Sequence, residues 1–204
     1  MNGKTPVQIQ KVAEADFPTE YGHFRIHGFE VLQGEQTEEV VAIVMGDISG
    51  SEPVLVRIHS QCLTGDVFHS LRCDCRAQLE LALETVASSG RGMVIYEQME
   101  GRGIGLLNKL RAYQLQDAGA DTVEANEQLG FEADLRAYEA PSAVLGFFGV
   151  ECVRLMTNNP DKISALEQDG IKVIERIPCQ AQRSRQSDAY MRTKKDRMGH
   201  LLEL

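Results

Sequence analysis

Apolar and polar positions divide the chain into short runs of alternating character. Between Ala15 and Val31, Phe24, Ile26 and Gly28 alternate with Arg25 and His27, the period of a strand with polar outward positions. Val40 to Ile48 is a continuous apolar run of strand length, closed by the turn-forming Ser49-Gly50-Ser51-Glu52. Pro53 opens a second run, VLVRIHS, with Val54, Val56 and Ile58 on one face and Arg57 on the other. These two runs predict an antiparallel hairpin, which would deliver Arg57, His59 and Ser60 to the mouth of the loop that follows.

Beyond Cys75 the period lengthens. Leu79, Leu83 and Val86 recur at helical spacing, and Gly90 stands where a C-capping glycine would. Met93 to Tyr96 is then a short strand, and a helix leading into a strand makes the sheet mixed. Gly101, Gly103 and Gly105 precede a helix predicted to turn Ile104, Leu107 and Leu110 toward a core, with Leu106 beside them. Ala140 to Phe148 reads as a short helix. Val153 to Met156, Asp161 to Asp169 and Ile171 to Ile177 read as strand, helix and strand, with Pro160 at the first helical position and Gly170 as the stop. That unit implies a parallel pairing with a right-handed crossover. The prediction is an α/β fold with a mixed sheet, antiparallel N-terminal strands, βαβ units and helices packed on the sheet. It places one domain at 1–179 and a polar, partly mobile tail with a short helix at 180–204.

Chemistry concentrates in Ser60 to Gln78, SQCLTGDVFHSLRCDCRAQ, which holds Cys62, Cys73 and Cys75 as C-x10-C-x-C. Thiolates are soft ligands, and Zn²⁺ accepts them at tetrahedral positions with no geometric preference of its own. Cysteines two apart turn both sulfurs to one ion if the backbone bends between them, and Gly65-Asp66 predicts the turn that returns the third. Four protein ligands make a structural site, whereas three leave a position open, the catalytic arrangement. His59 and His69 are the candidates for a fourth. The glycine-rich turn at 101–105 opens a helix, whose free N–H groups suit phosphate, and Arg102 within it favours an anion. Asp134 and Arg136, two apart, read by themselves as a solvated ion pair.

Composition narrows the class. A chain of 204 residues with 43% hydrophobic and 25% charged residues is an ordinary globular protein with room for a core. Five cysteines in this spacing are not a disulfide framework, and MNGKTPVQIQKVAEADF has no apolar run of signal-peptide type, so a reducing cytoplasm is expected. No run approaches membrane-spanning length. The net charge of −9 argues against nucleic acid, whose backbone needs a basic face, yet leaves room for a small anion held by a few arginines.

R-I-H-S-Q-C-L-T-G-D, S-L-R-C-D-C, E-G-R-G-I-G-L-L-N-K, D-T-V-E-A-N, Q-L-G-F and L-M-T-N-N-P, in this order, resemble GTP cyclohydrolase II, the zinc enzyme that opens riboflavin synthesis. The likeness runs from about Val12 to Pro178, and weakly to Met198–Leu202. It implies conversion of GTP to formate, pyrophosphate and a 2,5-diamino-6-ribosylamino-pyrimidinone 5′-phosphate by a homodimer, with one Zn²⁺ per subunit on Cys62, Cys73, Cys75 and a water, and Mg²⁺ with the triphosphate. It also implies Tyr113 as the acid–base group, Arg136 as the nucleophile at the α-phosphorus and Asp134 as its proton acceptor. A guanidinium stays protonated, so Arg136 can instead stabilise charge there. The GTP site implied comprises Arg57, Ile58, His59, Ser60, Gln61, Gln78, Glu100, Gly101, Arg102, Thr122, Thr157 and Lys162. Gln61, Arg76 and Glu97-Gln98-Met99 depart from the usual pattern, and His69 is unusual.

Other readings differ in chemistry. A nucleobase deaminase expects H-x-E and P-C-x-x-C, and both are missing. A paralogue opening the GTP ring for another pathway would retain the zinc chemistry. A non-catalytic, zinc-stabilised nucleotide-binding protein would close the metal with a fourth ligand and be indifferent to Tyr113.

Overall fold

The computed structural model describes residues 6–131, 136–180 and 188–203. Asp134 lies outside them. The strands are β1 (Val7–Thr19), β2 (Gly22–Gln33), β3 (Gln36–Met45), β4 (Val54–Ser60), β5 (Gly92–Glu97), β6 (Cys152–Met156) and β7 (Lys172–Ile177). They form one mixed sheet in the order β1-β2-β3-β5-β4-β6-β7. The pairs β1–β2, β2–β3 and β3–β5 are antiparallel. The pairs β5–β4, β4–β6 and β6–β7 are parallel, the last as the strand-helix-strand pattern at the end of the chain predicts.

The expected hairpin is not formed. β3 and β4 do not pair; β5 lies between them, antiparallel to one and parallel to the other. The reason is that every residue of Val54–His59 is buried. A strand covered on both faces is an interior, parallel-type strand, and here even Arg57 and His59 on it are buried. The outward placement of His27 is also corrected. It is buried on the same face as Phe29 and Val31, and Phe148 meets its ring edge-on at 5.1 Å.

The helices are α1 (Leu63–Asp66), α2 (Cys75–Ser89), α3 (Leu106–Asp117), α4 (Thr122–Gln128), α5 (Glu139–Phe147), α6 (Pro160–Gln168) and α7 (Asp188–Met198). α2 supplies Ala82, Leu83 and Val86 to a core with Phe24, Leu55 and Val94, and it ends at Gly90 in the left-handed conformation, φ 68°. Val144, Leu145 and Leu166, from α5 and α6, enter a second core with Val40, Val56, Ile58 and Ile95. Each fully buried Leu or Ile there contributes roughly 1.5–3 kcal/mol. α4 forms from a polar stretch because Asp121 and Glu124 make a capping box.

α3 is turned opposite to expectation. Leu107 is 72% exposed and Leu110 42%, and among the residues of α3 only Ala112 is buried. The inner face carries Lys109, Tyr113 and Gln116, spaced four and three apart, to the cavity described below. Site chemistry, not packing, occupies that face.

Candidate functional site

The site lies beyond the carboxyl ends of β4, β5 and β6. From β4 the chain crosses through α2 to β5 on one side, whereas β6 flanks β4 on the other. Such a switch point leaves a crevice in an open sheet.

Cys62 follows β4 directly, and Cys73 and Cys75 bracket the start of α2. Their sulfurs lie within 4.8 Å of one another, a group that could hold a metal ion. Cys62 and Cys73 are 3.6 Å apart, and the five cysteines are free of disulfides. A Cβ on Gly65 would stand 2.9 Å from the Cys73 sulfur and 3.1 Å from that of Cys62, so only glycine leaves the space between the sulfurs clear. The predicted turn there is the short helix α1. Hydrogen bonds from Cys73 and Cys75 hold Cys62 as the thiolate, against the cost of burial and with help from the Lys109 ammonium. The same sharing pushes Cys73 up to about 11 and Cys75 well above the ordinary thiol range. One negative charge is thus spread over three sulfurs, a state from which a divalent cation would displace the remaining protons.

Neither candidate fourth ligand belongs to this group. His59 is buried, with Nε2 3.1 Å from Asp66 Oδ2, and its ring stacks on Tyr96 at 5.4 Å. Burial outweighs the Asp66 carboxylate and keeps this ring neutral, so its proton sits on Nε2 and donates to Asp66. Asp66 also accepts from Tyr96 OH at 2.9 Å and from the Cys62 N–H at 3.0 Å. The histidine thereby braces the turn that presents Cys62. His69 pairs with Arg76, which also forms an ion pair with Glu80.

The three thiols open onto a cavity that communicates with solvent. Arg57, Arg72, Arg102, Lys109, Arg136, Lys162 and Lys194 line it, and no carboxylate does so among the described residues. On a chain of net charge −9, this concentrates positive potential in one place. Arg102 is a non-glycine residue in the left-handed region, at φ 61°, beside Gly101 at φ 64°. Such strain is held only where the surroundings dictate it, and here it aligns a guanidinium on the cavity wall.

Tyr113 OH is 3.3 Å from Thr64 Oγ1, and the Arg72 guanidinium lies 4.8 Å over its ring. Burial pushes this phenol above its ordinary range, so it stays protonated at neutral pH. Arg136 donates to Ser60 Oγ at 3.4 Å, and Ser60 donates to the buried Glu97 carboxylate. Lys162 donates to Ile58 O at 2.8 Å.

Arg57, His59, Ser60, Gln61, Gln78, Gly101, Arg102, Tyr113, Thr122, Arg136, Thr157 and Lys162 all lie on the cavity. Two residues implied by the resemblance do not line it. Ile58 points into the core and offers only its carbonyl, and Glu100 lies behind the wall, accepting from Lys109 and the Leu63 N–H. Lys109, Gln116, Lys194 and His200 line it without having been singled out as site residues. The first two share the Tyr113 face of α3, a spacing visible in the sequence. Lys194 and His200 come from the C-terminal segment, where no local pattern marks them. Burial, with Lys194, Arg136 and Arg102 nearby, lowers His200 to about 4, and its ring is neutral at pH 7.

The GTP cyclohydrolase-2 of Shewanella amazonensis is 52% identical over 196 residues, covering 96% of this chain and 95% of that one. That of Shewanella baltica is 53% identical over the same shares. Among solved structures, RibBX, a two-domain 3,4-dihydroxy-2-butanone 4-phosphate synthase from A. baumannii, overlays at TM-score 0.47 and 17% identity, covering 87% of this chain and 40% of that one. That overlay is too distant to inform the site. The family model described as GTP cyclohydrolase II matches residues 10–178, and the chain belongs to that family.

Proposed function

We propose that the chain is a zinc-dependent GTP cyclohydrolase II, acting on GTP to yield formate, pyrophosphate and 2,5-diamino-6-ribosylamino-4(3H)-pyrimidinone 5′-phosphate at the start of riboflavin synthesis. The observation that carries this is a three-thiol cluster opening onto a cavity lined by seven cations. A polyanion with an electrophilic ring carbon suits both halves.

Wall cations such as Arg102 and Arg136 would take the triphosphate, and Mg²⁺, when bound with it, would supply further neutralisation of the phosphate charge. The base then lies toward Cys62, Cys73 and Cys75, which would hold Zn²⁺. When bound there, zinc supplies the Lewis acidity that activates water at neutral pH for attack at C8. Tyr113, protonated and fixed by Thr64, is positioned to pass a proton to the opening ring. Arg136, always charged, would stabilise the α-phosphate as water attacks it and pyrophosphate leaves, and the resemblance implies Asp134 as the proton acceptor for that step. The family resemblance supports a homodimer. No helix among the described residues is long and apolar enough to cross a membrane. A cytoplasmic site of action fits the free cysteines.

The test is to load the chain with Zn²⁺, add GTP and Mg²⁺, and identify every product by mass spectrometry. Equal formate and pyrophosphate, with the pyrimidinone monophosphate, is the expected result. Formate without pyrophosphate would point to a ring-opening paralogue. Intact GTP on folded, zinc-loaded protein would leave a binding protein.

A further inference from the structure

Asp74, the residue between the two closely spaced cysteines, is held from a distant part of the chain. Lys194, on α7, places its ammonium 3.0 Å from Asp74 Oδ1, and the two side chains are 10% and 6% exposed. The other oxygen of Asp74 accepts from Gln78 Nε2, and Gln78 Oε1 accepts from Arg57 at 2.7 Å. Arg57 also donates to Met156 O at 3.0 Å. One chain of hydrogen bonds therefore runs from the C-terminal helix, through the Cys73-Asp74-Cys75 turn, to the cavity wall and the end of β6.

Lys194 is firmly placed. Met191 and Leu202 are buried on either side of it in sequence. Its carbonyl accepts from the His200 N–H at 3.0 Å, and the Leu201 N–H donates to Asn158 O at 2.8 Å. Packing and backbone hydrogen bonds therefore hold the segment on which the ammonium sits. A buried carboxylate without a cation is strongly unfavourable and moves toward water. Here it would carry with it the backbone that aims two sulfurs.

We propose that Lys194 is a positioning residue for the metal-binding turn. Its charge compensates the Asp74 carboxylate and thereby sets the direction in which Cys73 and Cys75 present their sulfurs. This rests on the reading of Cys62, Cys73 and Cys75 as the metal site. Groups that orient ligands from outside the coordination sphere are worth roughly 10–100-fold in metal affinity.

The test uses full-length wild type, Lys194→Met, Lys194→Arg and the double variant Asp74→Asn/Lys194→Met. Zinc dissociation constants are measured against a chromogenic chelator, with the Co²⁺ visible and thiolate charge-transfer bands as a record of ligand geometry. The expectation is a roughly 10–100-fold weaker zinc complex and altered cobalt bands for Lys194→Met. Lys194→Arg should stay close to wild type, and the double variant should recover most of the loss because the unpaired carboxylate is gone. Wild-type affinity in Lys194→Met, or a double variant no better than the single one, would overturn the proposal. Should Lys194→Met fail to fold, the double variant decides: wild-type zinc affinity supports the proposal and a persistent deficit overturns it. A wild-type chain that takes up no zinc would overturn the metal-site reading and the positioning role with it.

Discussion

Lys109 stands between Cys62 and Glu100, its ammonium 3.1 Å from the sulfur and 2.6 Å from a carboxylate oxygen. Burial disfavours its charge, but the Cys62 thiolate and the Glu100 carboxylate outweigh it and hold the lysine protonated. Replacement by methionine keeps the stem and removes the compensating charge. Lys109→Met should weaken zinc binding roughly 10–100-fold. The fold should survive with reduced stability, because Glu100 loses its cation but still accepts from the Leu63 and Gly101 N–H groups. Chelator competition and circular dichroism on the same sample check both halves, and unchanged zinc affinity would refute the role.

Gly65 gives a steric test. Its backbone is not in the left-handed region, so Gly65→Ala introduces no conformational strain. The added methyl would nonetheless sit 2.9 Å from the Cys73 sulfur. Zinc content by elemental analysis should fall well below one per chain while secondary structure is retained. Full zinc occupancy in this variant would mean that the ion sits elsewhere.

Tyr113→Phe removes one hydroxyl and leaves the ring under Arg72. If that hydroxyl moves a proton during ring opening, formate production should drop roughly 10²–10⁴-fold. Zinc content and the affinity for a non-hydrolysable GTP analogue should be unchanged. An equal loss in analogue binding would assign Tyr113 to recognition instead.

Glu38 offers a pH test away from the cavity. Burial, then the Glu97 and Glu139 carboxylates, raises its pKa from 4.5 to about 7. The folded chain therefore holds this proton more tightly than the unfolded chain does. The associated stability is present below pH 4.5 and is lost as pH rises through about 7. Glu38→Gln has no proton to lose, so its melting temperature should exceed that of wild type at pH 8, with the gap shrinking toward pH 5. The same gap at both pH values would show that charge is not the cause.

Local spacing carried much of this molecule. C-x10-C-x-C, the glycine turn with Arg102, and the strand-helix-strand unit ending at Ile177 are short-range patterns, and the described structure has the corresponding elements. The failures are of two physical kinds. The partner of β3 is β5, some fifty residues further on, and no nearby signal competes with the adjacent run Val54–Ser60. Periodicity also states which residues share a helix face but not which face turns inward. Leu107 and Leu110 on α3 are apolar yet exposed, whereas Lys109, Tyr113 and Gln116 occupy the inner side. β1 leaves no apolar run in the sequence because it is an edge strand, exposed at most positions, with Lys11, Glu14 and Arg25 of β2 laced across it.

The ion pair between Lys194 and Asp74 joins residues 120 apart. At ribosomal speeds the carboxylate is made roughly 6–24 s before the lysine that neutralises it. Nascent chain carrying all three thiols thus exists for many seconds without its clasp. Completion of the turn is therefore a late event in the life of each new molecule, because it waits for the C-terminal helix.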